Sequence, residues 1–413
     1  MAQCSRRRLL LAAAGGLGTL LAWPWANAGA EAGAGSKVGP GAATGAGSGA
    51  EVADGVANGV ANGVVNGVAN GVANGAADGA PRRVLAIGPG ALRMLVYLDA
   101  VERLVGLEDM ERRPLRASTY RFVLPADIAS LPVAGPGGPG RLPDPERLLT
   151  LRPDLLVTVG LDDQQLAVLR RRTGVEALAL SYGALGALEV ADFSASLTRL
   201  GSALGLSARA AALLGFFEDS IADLNRRVQR VLDADHEADG DGGPQAAYLG
   251  GISLSGAQGI GSTQAGHRPL RWAGARNLAD EVGPNGHLFL DREQLLAWDP
   301  PVLFIDAGGL PGILAGLPRD AEFYQRLRAV RDGRVYLTLP FNAYNTNVEN
   351  ALVNAWFIAR VLYPRALADV DLAEQAAAIF TAFLGRDLLA KVRAAGYGPG
   401  RVDLLAGTWA PWP

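Results

Sequence analysis

Asp144-Pro-Glu-Arg-Leu-Leu-Thr-Leu-Arg-Pro-Asp-Leu-Leu-Val157 recurs in the second half of the chain as Asp291-Arg-Glu-Gln-Leu-Leu-Ala-Trp-Asp-Pro-Pro-Val-Leu-Phe304. In both copies Asp is placed to cap a short helix, and Glu follows two residues later in its positive first turn. A Leu-Leu pair then faces the core. Pro153 and Pro300 end the helix, and an apolar strand begins. Helix, proline and buried strand at equivalent places in each half read as two pseudo-equivalent α/β lobes.

The surrounding sequence has the same grammar. Residues 84–87 form a short apolar run ended by Gly88-Pro89-Gly90, and Leu92, Leu95 and Val96 follow at helical spacing. Residues 154–159 and 175–180 read as strands, with a helix over 164–173 between them. After an acidic loop at 233–244 the pattern resumes, with strands at 246–249, 302–305 and 335–337. Helices are expected at 293–297, 348–362 and 372–384. Short apolar strands alternating with helices predict an α/β fold of two doubly wound, Rossmann-like lobes. The first lobe spans 81–191 and the second 245–413. Between them, 192–232 carries apolar residues at helical spacing (Leu197, Leu200, Leu204, Leu213, Phe217, Leu224), weakened only by Gly201, Gly205 and Gly215. This stretch predicts one long helix joining the lobes as a stiff spacer, with a ligand cleft between them.

The ends and the composition exclude several classes. The 413 residues are 49% hydrophobic, enough for two cores, and the formal net charge of −3 argues against nucleic acid as a partner. Ser5-Arg6-Arg7-Arg8 precedes an apolar run ending at Trp23, and Ala26-Asn27-Ala28 offers small residues for cleavage, so 1–28 reads as an export signal. Ser-Arg-Arg-x-Leu-Leu also resembles a twin-arginine signal, which leaves two export routes open. Residues 29–80 are a low-complexity linker with Gly-Val-Ala-Asn repeating at period four, a flexible coil spanning about 40 Å. A cleaved signal, the favoured reading, leaves a solvated leader; a retained one tethers the lobes to a membrane. Cys4, the sole cysteine, precedes the apolar run and would leave with the signal. No thiol chemistry is expected in the mature chain.

Several stretches, in order and spacing, resemble the siderophore, haem and vitamin B12 binding proteins of ABC importers. They are Gly135-Pro-Gly-Gly-Pro-Gly140, Glu146 to Asp154, Gly256-Ala-Gln-Gly-Ile-Gly-Ser-Thr263, Ala273-Gly-Ala-Arg-Asn-Leu-Ala279 and Tyr344-Asn-Thr-Asn-Val-Glu-Asn-Ala351. The resemblance covers residues 82 to 400. It implies two lobes joined by one long helix, and a periplasmic or otherwise extracytoplasmic monomer delivering a small-molecule metal chelate to an ABC permease and its ATPase. It also implies one glutamate per lobe docking on permease arginines, here Glu146 and Glu293. Without it, each Glu needs no further role than complementing its own helix, worth about 0.3–1 kcal/mol.

Ligands of open α/β sheets lie beyond the carboxyl ends of the strands. That rule selects the loops after 84–87, 154–159, 246–249 and 302–305. The resemblance adds 116–121, the turn at Gln258, and 341–347. Tyr120, Tyr248, Trp272 and Tyr344 offer flat faces for a macrocycle or catechol, and Arg116, Arg121 and Arg271 can pair with carboxylates or an anionic chelate. Asn342 and Asn345 complete the expected ligand set. No metal is expected to bind the protein directly, because His236, His267 and His287 are scattered. The run from Asp235 to Gly240 superficially matches a calcium loop, but Ala246 stands where a bidentate Glu is required. No resident cofactor is expected; the bound species is an iron chelate, haem or a corrinoid. The rivals are an exported hydrolase-like enzyme and a tethered ligand sensor. The enzyme lacks its signature: Gly251-x-Ser253-x-Ser255 fails the nucleophile elbow, and Gly88-Pro89-Gly90 is followed by Arg93 rather than a third glycine. No catalytic residues are therefore expected.

Overall fold

The computed structural model describes residues 21–22, 79–113, 118–239, 243–254 and 256–412. The export signal and the Gly-Val-Ala-Asn linker fall almost wholly outside the described residues, as does Arg116. Among the described residues no helix is long and apolar enough to cross a membrane.

In the first lobe, β1 (Val84–Ile87), β2 (Leu155–Val159) and β3 (Glu176–Leu180) form a parallel sheet with β2 at its centre. Every residue of β1 and β2 is buried, which explains their continuous apolar runs. α1 (Ala91–Tyr97) follows β1, α2 (Pro145–Leu151) leads into β2, and α3 (Asp163–Thr173) joins β2 to β3. Asp144 Oδ1 accepts the Glu146 N–H at 3.0 Å, so the first copy of the repeat is capped as its sequence predicts. The helix ends on Arg152 in the left-handed region (φ 47°) immediately before Pro153.

The segment between the lobes differs from expectation. It is two helices, α4 (Val190–Ala203) and α5 (Ser207–Asp239), broken at Leu204-Gly205-Leu206 where Gly205 takes φ 70°. Gly201 is a packing site rather than a weak spot: a Cβ there would lie 2.6 Å from the Ala210 Cβ, so its absence lets α4 lie close to α5. α5 alone is the connector. Its 33 residues extend about 50 Å. Near its start the Arg209 Nε donates to Tyr97 O of the first lobe (3.0 Å), and further along the Ser220 Oγ accepts from Trp356 Nε1 of the second (2.9 Å). The helix continues through Asp239, so residues 233–239 of the expected acidic loop, including the first five of the calcium-loop pattern, are helical.

The second lobe repeats the first. β4 (Ala246–Gly250), β5 (Leu303–Asp306) and β6 (Val335–Thr338) are parallel, with β5 central. α6 (Arg292–Trp298) leads into β5 as α2 leads into β2. Asp291 Oδ1 caps it through the Gln294 N–H at 2.8 Å, and Asp299 closes it at φ 39° before Pro300. Only one leucine of each Leu-Leu pair reaches the core. Leu148 and Leu295 are buried, whereas Leu149 is 51% exposed and Leu296 half-buried. Consecutive helical residues point about 100° apart, so a one-sided helix does not bury both. α7 (Leu310–Arg326) follows β5, and α8 (Val348–Leu362) is buried from Val348 to Ala359. Past the repeat, the hairpin of β7 (Gly400–Asp403) and β8 (Thr408–Pro411) extends the sheet antiparallel to β6, which makes this lobe mixed rather than purely parallel. Leu21–Ala22 pairs with the edge of β8.

Candidate functional site

The loops after β1, β3 and β6, at the carboxyl ends of those strands, carry bonds that join the lobes. The segment 341–347, after β6, crosses onto the first lobe. Its start is set by Asp306 at the end of β5, a fully buried carboxylate that accepts the N–H of Gly308 (2.7 Å) and Phe341 (2.6 Å). Burial pushes the Asp306 carboxyl up to about 7, against the pull of those two bonds.

From there the segment is held residue by residue. Asn342 Nδ2 donates to Gly186 O (3.0 Å) and Asn345 Nδ2 to Pro89 O (3.0 Å). Tyr344 and Asn345 both take positive φ, 54° and 78°, a strained choice for non-glycine residues that their hydrogen bonds maintain. The Arg93 guanidinium of α1, fully buried, donates to the carbonyls of Ala343 and Thr346, each at 2.7 Å. It also lies over the Tyr120 ring, 4.7 Å from its centre. Burial opposes the Arg93 charge, but Tyr182, Tyr97, Tyr120 and Glu349 around it hold its pKa above the ordinary value.

Tyr344 bridges the lobes. Its hydroxyl donates to Glu108 Oε2 (2.8 Å) and accepts the Gly138 N–H (2.8 Å), while Glu108 Oε1 accepts the Gly88 N–H (3.0 Å). The glycines of 135–140 permit this approach: a Cβ on Gly137 would lie 2.9 Å from the Tyr344 hydroxyl. Glu108 is 2% exposed, and burial raises its pKa from 4.5 to about 7. The bonds from Tyr344 and Gly88 pull it down, and the Glu111 charge pushes it up. Arg268 adds a further link, donating to Leu188 O (2.9 Å) and pairing with Glu189.

Of the residues expected to face ligand, Asn342, Tyr344 and Asn345 therefore come together at the lobe junction, bonded to the opposite lobe. The others do not join them. Tyr120 is fully buried and donates to Glu111 Oε2 at 2.7 Å, and Arg121 is committed to the same carboxylate at 2.5 Å. Tyr248 lies in the core of the second lobe, its hydroxyl on Ile260 O (2.8 Å). Trp272 packs edge-on to Phe217 of α5 with ring centres 5.6 Å apart. These three aromatics, expected to offer flat faces, are buried instead: their rings fill the core, and the hydroxyls of Tyr120 and Tyr248 find partners inside it. Gln258 Nε2 turns back to Leu254 O (2.8 Å), and Arg271 is exposed on a short helix.

Among the charged residues of the junction, Arg93, Glu108, Glu189 and Arg268 escaped the sequence reading. Arg93 was legible in principle, because a single charge in an otherwise apolar helix (Ala91–Tyr97) requires partners. Among the described residues no group of three or more His, Cys, Asp or Glu is placed to hold a metal ion. His267 is buried, Nδ1 on Gln264 Oε1 at 3.1 Å, and burial lowers its pKa to about 3. On the outer faces, Glu146 and Glu293 are both exposed, at the same second position of α2 and α6. Neither makes an ion pair among the described residues.

Two α/β lobes with matching parallel cores, spanned by one long helix and meeting at their strand ends, define a two-lobed solute-binding protein. The family model described as periplasmic binding protein matches residues 84–340, and the chain belongs to that family. Solved structures agree on the fold. A periplasmic solute-binding protein from Veillonella parvula is 16% identical, with a TM-score of 0.58 over 77% of this chain and 92% of its own. The Haemophilus influenzae protein MolA, bound to molybdate, is 18% identical with a TM-score of 0.56, covering 74% and 93%. Helicobacter pylori CeuE with Ni(II) bound is 16% identical with a TM-score of 0.52, covering 76% and 94%. No curated protein sequence matches the chain.

Proposed function

We propose that this protein captures a metal chelate outside the cytoplasm and hands it to the permease of an ABC importer. Binding proteins of this family work with ABC permeases and ATPases, so the finer reading concerns how this chain docks and what it carries. The observation that carries it is the matched pair Glu146 and Glu293: exposed, without ion pairs among the described residues, one per lobe, at identical positions of repeated helices. A helix-dipole role alone requires no such match. The decisive test reverses both charges (Glu146→Arg, Glu293→Arg) and measures uptake by host cells. Uptake is expected to fall while ligand affinity is kept; unchanged uptake removes the docking reading, and a sensor built on the same lobes would also leave uptake unchanged.

The cargo proposed is a ferric siderophore, haem or a corrinoid. The scattered histidines and the lack of any metal-holding cluster among the described residues favour a ligand that brings its own donor atoms. Tyr344, Asn342 and Asn345, joined to the first lobe through their bonds to Glu108, Gly186 and Pro89, are the residues we assign to the ligand. A small oxyanion is the second reading. It is favoured by the burial of Tyr120, Tyr248 and Trp272, which removes the expected stacking faces, and by the molybdate in the MolA structure. We infer export through residues 1–28 by the twin-arginine or the general route, and a monomeric binding subunit.

A further inference from the structure

The repeat extends two residues ahead of its capping aspartates. Leu142 stands two positions before Asp144, and Phe289 two positions before Asp291. Both are exposed, Leu142 by 36% and Phe289 by 64%. The described residues hold six exposed large apolar side chains, and three belong to this repeat: Leu142 and Phe289 at the matching position, and Leu149, one helical turn after Glu146. Scattered surface leucines need no explanation. The same exposed apolar position in two lobes, each four residues before an exposed glutamate that makes no ion pair among the described residues, does.

We propose that Leu142 and Phe289 form, with Glu146 and Glu293, two matched docking patches, and that these apolar side chains supply much of the affinity for the permease. The inference rests on the docking reading given above. A partner that meets both patches must present two equivalent surfaces, each with a cation beside apolar side chains; a permease with two-fold symmetry is such a partner. Exposed ion pairs contribute little by themselves and mainly steer the encounter, whereas buried apolar anchors set how long the complex lasts. Each patch pairs one of each kind.

The test uses the full-length protein and the permease–ATPase complex purified from its host in nanodiscs, with docking followed by surface plasmon resonance across a salt series. Leu142→Ser with Phe289→Ser is expected to weaken docking about tenfold or more through faster dissociation, with the salt dependence kept. Glu146→Gln with Glu293→Gln is expected to slow association and flatten the salt dependence. Unchanged thermal melting shows that the surface substitutions leave the fold intact. If the glutamine pair weakens docking and the serine pair does not, the apolar patches are refuted while the docking surface stands. If neither pair matters, both readings fall. Loss by the serine pair alone supports the patches and refutes the charge contribution.

Discussion

Glu108→Gln removes a buried carboxylate that bridges the lobes through Tyr344. In the folded protein burial raises the Glu108 pKa from 4.5 to about 7. Between those values the native state holds a proton that the unfolded chain has released, so this residue's contribution to stability is full below pH 4.5. It falls as pH rises through the window, and is level again above pH 7. The interval corresponds to about 3 kcal/mol. Glutamine keeps the shape and does not titrate: its carbonyl still accepts the Gly88 N–H, while its amide NH2 replaces the oxygen that accepted from Tyr344 and donates to the Tyr344 hydroxyl instead. Urea unfolding of the wild type and the variant from pH 4.5 to 8 isolates the effect. Asp306 titrates in the same direction in both proteins and cancels in the difference, because it lies in the other lobe. The variant is expected to gain about 3 kcal/mol relative to the wild type across the series. A difference that stays flat with pH would refute a buried, proton-holding Glu108 at the junction.

Leu148→Ala, in the fully buried core of the first lobe, should cost about 3 kcal/mol in urea unfolding, whereas Leu149→Ala, half exposed on the same helix, should stay within about 0.5 kcal/mol. Tyr344→Phe strands the Gly138 N–H and removes a donor from Glu108, so a loss of about 1–3 kcal/mol is expected in the same assay. Gly88→Ala should prevent soluble expression, since Gly88 sits at φ 90° and its new Cβ would lie 2.0 Å from Val159 O.

The repeat was legible because its chemistry is local. An Asp cap, a buried leucine and a helix-ending proline act within a dozen residues, and the structure places both copies before the central strand of a parallel sheet. The break in the connector was not read as one, because Gly205 (φ 70°) is one of three glycines in the stretch and the other two, Gly201 and Gly215, lie inside helices. The hairpin of β7 and β8 was missed for a different reason: its strands are short and carry Gly400 and Pro411, poor signals for a sheet. The site was least legible. Arg93 finds Thr346 across 253 positions of sequence, and nothing local announces such a contact. Aromatic residues mislead in the same region, since Tyr and Trp serve a core with their rings and a hydrogen bond with their tips, as Tyr120 and Tyr248 do.

Native mass spectrometry with absorbance, on the protein purified from its own host, tests the central claim most directly. Ligand capture for import predicts one small molecule per chain, released unchanged on unfolding, with the mass and colour of a metal chelate. Chemical alteration of the ligand during incubation with the protein, or no retained ligand and no binding of ferric siderophores, haem, corrinoids or molybdate, would contradict it.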